Sequence, residues 1–299
     1  MKQRFFFNRV ALFYDIAVDE VTSITSIDND VNIIANIDNL QLLDQIKRID
    51  RLIIESGNAK SASFDSLYKH SEIEELMLDY YETDYVGAWS VDLSHFPNLK
   101  ILVSNSSLNY RNIDHLQYLK SLFVKWWFER DLSQLMNIPI ESLVIMKGLL
   151  SIDGYSNGFL KELSISYSPL DKVSDLSLLP TLEVLEVDHC PKIDDWESFQ
   201  SKSLKVLLLL GNNVLESVSF IANNPSLLFF TYEGTIQNCD LLPLVNLQHC
   251  SLLPHKRIYN IERKKLNYNP KAKIVQSIES HYSFFSKRSF AMNDQIVLR

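Results

Sequence analysis

Apolar residues recur along this chain in short groups with a fixed internal spacing. The clearest group, Leu182–Val187, reads L-x-x-L-x-V. Because successive side chains of a strand point to opposite faces, Leu185 and Val187 share one face. Glu186 and Asp188 share the opposite face. The pattern therefore predicts a short strand with one buried face and one face that is available for other contacts.

The same group recurs about ten times along the chain. Its second apolar position is occupied, in chain order, by Leu52, Leu76, Leu102, Leu122, Leu143, Leu163, Leu185, Leu207, Phe230 and Cys250. Consecutive members of this series are 20 to 26 residues apart. One strand with its return segment cannot bury its apolar face alone, so such repeats stack side by side into a parallel sheet. About ten residues remain for each return, which favours a turn of 3₁₀ or α-helix over a longer helix.

The repeats resemble those of bacterial leucine-rich repeat proteins with short repeats of about 22 residues. The segment Ser174–Leu179, which leads into Leu182, is similar to the return segment of internalin-type repeats. The resemblance covers roughly residues 40–254. It implies an α/β fold, a leucine-rich repeat solenoid with a curved parallel sheet on its concave side and short 3₁₀ or α returns on its convex side. In such solenoids the concave surface is extended and usually binds the partner.

The pattern divides the chain into three regions. Residues 1–40 are irregular and are interpreted as an N-terminal cap that contains a strand at Val31–Ile37. Residues 41–254 form the solenoid, and the spacing of Leu40–Ile49 predicts a short amphipathic helix near its start. Residues 255–299 leave the pattern, and a strand is expected at Gln295–Leu298. This last region is either a basic C-terminal cap or a basic arm that binds a partner.

Charge is distributed unevenly between these regions. Residues 1–254 carry 19 Lys and Arg against 34 Asp and Glu, a net charge of −15, whereas residues 255–299 carry 10 against 3, a net charge of +7. An acidic body repels nucleic acid and attracts a basic protein, so we expect a basic protein partner and no nucleic acid. The alternative is that the acidity only keeps the protein soluble.

Side chains between and after the buried strand positions are predicted to lie on the concave face. They include an apolar stripe with aromatic neighbours, and surfaces of this kind are typical of protein interfaces. They also include carboxylates that would steer a basic partner. The predicted partner-binding residues are Met77, Asp79, Tyr80, Val103, Phe123, Lys125, Trp126, Val144, Met146, Tyr167, Glu186 and Asp188. We expect Trp126 to be exposed at the rim and Trp127 to point inward. The alternative for the apolar stripe is that a cap or tail covers it.

The sequence offers little for catalysis. Asp188, His189 and Cys190 bring three reactive residue types together, but adjacent strand residues point to opposite faces, so His189 and Cys190 are not expected to form a base–nucleophile pair. Cys190 is predicted to be a buried residue of the repeat. The histidines show no metal-ligand spacing and no glycine-rich phosphate loop is present, so no catalytic residue, metal or cofactor is predicted.

Localisation is predicted from what the chain lacks. No apolar run approaches the roughly 18 residues of a membrane span, and the apolar stretch near the N-terminus is interrupted by Arg9 and Asp15. The three cysteines are odd in number and too few for a disulfide framework. We therefore expect a cytoplasmic protein without a transmembrane segment.

These observations favour non-enzymatic protein recognition through the concave face. One specific version is an immunity or antitoxin-like protein that neutralises a basic toxin. A second is a scaffold or regulatory subunit of a cellular enzyme, and a third is an effector or adhesin secreted by a route that needs no N-terminal signal. The sequence does not decide between them, and it leaves the oligomeric state open.

Overall fold

The fold is that of a computed structural model, which describes the backbone of residues 2–6, 9–13, 31–36, 40–41, 43–44, 46–55, 63–79, 90–104, 109–254, 256–267 and 294–298. The chain forms two compact units. The first contains residues 1–125 and 279–299, and the second contains residues 126–278.

Strands dominate the described residues of both units. In chain order they are β1 (Lys2–Phe6), β2 (Arg9–Phe13), β3 (Val31–Asn36), β4 (Arg51–Glu55), β5 (Glu75–Asp79), β6 (Ser90–Asp92), β7 (Ile101–Ser104), β8 (Asn109–Arg111), β9 (Ser121–Val124), β10 (Ser142–Ile145), β11 (Glu162–Ser166), β12 (Val184–Asp188), β13 (Val206–Leu215), β14 (Phe229–Ile236), β15 (His249–Leu253) and β16 (Asp294–Leu298). Most have three to six residues, as expected of short repeats.

The helical segments with described bounds are all short 3₁₀ helices. In chain order they are Leu67–Lys69, Leu93–His95, Ile113–His115, Ser133–Leu135, Ser174–Leu178, Trp196–Ser198, Ser219–Asn223, Leu242–Leu244 and Arg263–Lys265. This confirms the prediction of short returns, because a return of about ten residues leaves room for one turn of helix. Among the described residues, none of these segments has the length and apolar character needed to cross a bilayer.

In the first unit the strand order is β1-β2-β16-β3-β4-β5-β7-β9. β1 and β2 are antiparallel, whereas β16, β3, β4, β5, β7 and β9 are parallel to one another. Strand β16 confirms the strand expected at Gln295–Leu298 and lies between β2 and β3. Strands β6 and β8 form a separate two-stranded parallel pair on the return segments.

In the second unit the order is β10-β11-β12-β13-β14-β15, and every pair is parallel. The strands therefore follow one another in space as they do in sequence. Strand β13 is longer than its neighbours, and its pairing with β14 shifts register between Leu209 and Asn213. This parallel sheet of short strands is compatible with a repeat solenoid.

The predicted register of the repeats is confirmed within each unit. In the first unit the second apolar positions pair as Leu52–Leu76–Leu102–Leu122, and in the second as Leu143–Leu163–Leu185–Leu207–Phe230–Cys250. All of these residues are buried. Burying one leucine contributes about 1.5–3 kcal/mol to the stability of the fold. A slip of one residue would move all the apolar side chains of a strand to the opposite face, so these rows fix the register.

Two predictions near the start of the repeats have different outcomes. The strand expected at Val31–Ile37 is present as β3 (Val31–Asn36). The helix expected over Leu40–Ile49 is not continuous, because residues 46–50 are not helical. Residues 40–41 and 43–44 are 3₁₀-helical, so the predicted helix is present in part. Leu40, Leu43, Ile46 and Ile49 are buried, so the apolar spacing identified core positions along the stretch.

The described part of the basic C-terminal region packs against the preceding repeats. Tyr259 and Leu266 are buried, and the backbone N–H of Cys250 donates to the carbonyl of Asn267 at 2.7 Å. Arg263 and Lys265 are exposed. Residues 256–267 thus continue the stack, while Lys271 and Lys273 of the proposed arm lie outside the described residues.

Candidate functional site

The face of the sheet that carries the predicted site is formed by side chains that alternate with the buried rows. We call it the strand face. In the second unit its central row contains Val144, Ser164, Glu186, Leu208, Thr231 and Ser251, which pair in register from β10 to β15. This face is mixed, because an acidic and hydroxyl-bearing patch on β11 and β12 lies beside aliphatic residues on β10 and β13.

In the first unit, three of the predicted apolar residues lie on neighbouring strands. Met77, Val103 and Phe123 pair in register across β5, β7 and β9. Met77 and Phe123 are half-buried, whereas Val103 is only 1% exposed, and its role in partner binding stays a prediction.

The other predicted residues of the first unit have different outcomes. Lys125 is half-buried, and its backbone N–H donates to the Ser104 carbonyl at 2.8 Å. The backbone of Asp79 ends β5, but its side chain and the whole of Tyr80 lie outside the described residues. The role of these residues in partner binding stays a prediction.

In the second unit, Val144 and Met146 are half-buried on the strand face, as is Asp188. Glu186 is only 5% exposed, so it does not present its carboxylate to solvent as predicted. Sequence alternation placed Glu186 on the correct face, but its burial depends on the neighbouring strands. Ser164 and Leu208 flank it in register on β11 and β13.

A set of residues in left-handed conformations follows strands β11, β12 and the regular part of β13. Tyr167 has φ 46°, His189 has φ 49° and Gly211 has φ 77°. The Tyr167 N–H donates to the Asp188 carbonyl at 2.9 Å, and the His189 N–H donates to the Leu210 carbonyl at 3.1 Å. Residues with a side chain rarely adopt this conformation, and where it persists the surrounding structure must hold it.

This set forms an aromatic edge to the strand face. The rings of Tyr167 and His189 are stacked with centroids 4.6 Å apart. Gly211 leaves the space that the imidazole occupies, since a Cβ there would lie 2.3 Å from His189 Nδ1. His189 Nδ1 is also 2.6 Å from Asp188 Oδ1. Tyr167 is thereby held in place while 49% exposed.

Of the two adjacent tryptophans, Trp127 is buried as predicted, whereas Trp126 is less exposed than predicted. Trp127 points inward, is buried, and donates from Nε1 to the Asp131 carbonyl at 2.8 Å. Trp126 is half-buried, with Lys147 Nζ 4.9 Å from its ring centroid. A cation–π contact of this kind stabilises the half-buried tryptophan and keeps an aromatic surface near the ends of the strands.

Among Asp188, His189 and Cys190, no base–nucleophile pair forms. His189 bonds to Asp188, whereas Cys190 is fully buried and its Sγ lies 3.4 Å from the Asp188 carbonyl oxygen. Burial raises the pKa of the Cys190 thiol to about 11, so the thiol is protonated near neutral pH. Cys190 is a buried residue of the repeat, as predicted.

Many carboxylates away from the strand face bind groups of this chain. Asp195 accepts hydrogen bonds from the Val173 and Ser174 N–H groups at 2.8 and 2.9 Å. Along the amino ends of the strands, Lys161 pairs with Glu141 at 2.7 Å and Lys205 with Glu183 at 2.9 Å. Part of the acidity therefore stabilises neighbouring repeats, a role that the sequence analysis did not assign. The available signal was spacing, because the partners in each of these contacts lie about one repeat apart in the sequence.

Metal binding was not predicted, and the described residues contain no cluster of three or more His, Cys, Asp or Glu positioned to hold a metal ion. A scan against models of known protein families found no match. A search of curated proteins also found no match. The fold class is therefore what is established for this chain: it is a protein with a parallel sheet of short, stacked repeats.

Proposed function

We propose that this chain is a leucine-rich repeat protein that recognises another protein through its strand face, without catalysis. The observation that carries the proposal is the exposed ring of Tyr167. A tyrosine in the left-handed region costs the fold about 1 kcal/mol or more, and such strain commonly accumulates where a side chain serves a function. Tyrosine is also favoured at the energetic centres of protein interfaces.

Charge supports a basic partner. Residues 126–254 carry 7 Lys and Arg against 16 Asp and Glu, which gives 7 − 16 = −9. A field of this sign accelerates association with a basic protein, and the effect falls as salt rises. The specific version of this proposal is an immunity or antitoxin-like protein that covers the active site of a basic toxin.

The experiment is affinity capture from the native host, with bound proteins quantified by mass spectrometry. Wild-type protein is compared with Tyr167→Ala and with Phe159→Ala, because Phe159 is 55% exposed but lies on a return segment. We expect a basic partner whose recovery falls at least tenfold with Tyr167→Ala and is unchanged with Phe159→Ala. The toxin version further requires that the captured protein loses its toxic activity in the complex.

Two results would count against the proposal. Equal recovery of every partner by wild-type protein and Tyr167→Ala would show that the strand face is not the recognition surface. Turnover of a substrate by the purified chain would show that the protein is an enzyme, which contradicts the proposal.

A further inference from the structure

We infer that the strand face of the second unit contains a recess for one cationic side chain, lysine or arginine, of the protein partner. The recess is formed by Ser164 and Ser166 on β11 and by Glu186 and Asp188 on β12, with Tyr167 at its edge. The inference rests on the proposed function, because it assigns a chemical group of the partner to the same surface.

The register brings these four side chains together. Ser164 pairs with Glu186, and Ser166 pairs with Asp188. Partners in a parallel pair point to the same face, so two small hydroxyls lie beside two carboxylates. Met146 and Leu210 lie on the adjoining strands or just after them. The two serine side chains are shorter than those of Met146 and Leu210, and the inferred recess lies at these two serines.

The Ser164 hydroxyl is the observation that points to a ligand. Ser164 is nine-tenths buried, and its Oγ has no hydrogen-bond partner among the residues that the structure describes. A buried hydroxyl without a partner costs about 1–3 kcal/mol. Since the register places Oγ beside Glu186, a donor that reaches this carboxylate can also donate to Ser164. An ammonium or guanidinium group supplies several donors to such a set of oxygens.

Three described lysines of the second unit make contacts outside the recess. Lys161 and Lys205 pair with Glu141 and Glu183 at the amino ends of the strands. Lys147 lies over the Trp126 ring. A cation of the partner that binds at Asp188 and Glu186 would therefore not displace these three lysines from their contacts.

Lysine and arginine fit the recess for a second reason. Their long apolar stems pack along aliphatic and aromatic side chains while the charged end reaches further in. Met146 and Tyr167 offer such surfaces, and the exposed tyrosine ring also attracts a cation. Asp188 is more accessible than Glu186, so it lies at the entrance and Glu186 lies deeper.

The test uses three small probes: the Nα-acetyl methylamides of lysine, arginine and norleucine. Each is titrated into the full-length protein while the ring signals of Tyr167 and His189 are followed by NMR. We expect saturable shifts with the lysine or arginine probe and none with the neutral norleucine probe. Norleucine shifts equal to those of the lysine probe would overturn the inference, and so would a linear, non-saturating response.

Variants test whether the cationic probe binds at the recess. Glu186→Gln and Ser164→Val should each lower the affinity for the cationic probe roughly tenfold, as expected for loss of a charge-assisted or buried hydrogen bond. Glu233→Gln removes an exposed carboxylate of β14 outside the recess and should change the affinity less than about twofold. Unchanged affinity in Glu186→Gln would overturn the inference. If that variant does not fold, Asp188→Asn takes its place under the same criterion.

Partner capture separates this inference from the proposed function. Loss of the partner with Tyr167→Ala but normal capture with Glu186→Gln would keep strand-face recognition and reject the cationic recess. Normal capture with both variants would reject both proposals.

Discussion

At the residue scale, the conformation of a few backbone positions determines what the strand face presents. Gly211 permits His189 to lie flat against Tyr167, and His189 in turn is oriented by Asp188. None of these contacts adds much stability by itself. Together they hold an aromatic ring at a fixed place beside the carboxylates.

Alanine substitutions at three glycines should separate the destabilisation caused by backbone strain from that caused by a steric clash of the added Cβ. Gly158→Ala should change the unfolding free energy by less than about 1 kcal/mol, because a Cβ there meets nothing and φ is not positive. Gly154→Ala should cost about 1–2 kcal/mol through its φ of 69° alone. Gly211→Ala should cost about 1–3 kcal/mol more, because its Cβ would collide with His189.

Chemical denaturation of the three variants measures these differences. Equal stability of Gly211→Ala and Gly154→Ala would contradict the close packing of His189 on Gly211.

The sequence could predict the direction of side chains but not their exposure. Alternation correctly placed Leu185 inward and Glu186 on the strand face. The burial of Glu186 and Val103 depends on which side chains pair with them across strands. That information is spread over repeats more than 20 residues apart, so single-strand patterns did not contain it.

At the element scale, the return segments are joined by polar side chains that bind backbone groups of neighbouring repeats. Asn224 accepts from the Ser201 N–H at 2.8 Å and donates to the Phe220 carbonyl at 2.8 Å. Asn157 binds the Ile138 carbonyl at 2.9 Å and the Phe159 N–H at 2.8 Å. The sequence analysis assigned no role to these asparagines on the return segments.

Asn224→Ala should lower the unfolding free energy by about 2–3 kcal/mol, since it leaves buried backbone groups without partners. Asn246→Ala is the matched control, because Asn246 is exposed in the next return segment, and it should change stability by less than about 0.5 kcal/mol. Urea denaturation measures both, and equal effects would show that Asn224 does not join the repeats.

Asp92 should make the first unit sensitive to acid. It accepts from the Ser94 hydroxyl at 2.6 Å, the Ser94 N–H at 3.0 Å and Asn112 Nδ2 at 2.9 Å. These bonds, first that of the Ser94 hydroxyl and then that of Asn112, lower the pKa of Asp92 from 3.8 to about 2. Because the pKa is depressed in the folded state, its stabilising contribution is present above pH 3.8 and is lost as pH falls to about 2.

Asp92→Asn should therefore be less stable than wild type at pH 6, and the difference should shrink as pH falls from about 4 to 2. Asp171→Asn, at an exposed return position, is the control. Denaturation at pH 6, 4, 3 and 2 gives the comparison, and a stability difference independent of pH would contradict this role of Asp92.

At the scale of the whole molecule, the repeat period was the strongest prediction. A spacing of 20 to 26 residues correctly gave short strands, parallel pairing and short 3₁₀ returns in each unit. The partner could not be predicted in the same way, because repeats share their buried positions whereas recognition depends on the variable positions between them. The aromatic edge and the serine recess both lie at such positions.

Site-specific photo-crosslinking tests strand-face recognition most directly. A photoreactive phenylalanine analogue replaces Tyr167 on the strand-face edge in one variant and Phe159 on a return segment in the other. Both positions are about half exposed. After irradiation in the native host, the account predicts a discrete crosslinked protein, basic in composition, from position 167 and not from position 159. The same crosslinked protein from both positions, or a discrete product from position 159 alone, would contradict recognition through the strand face.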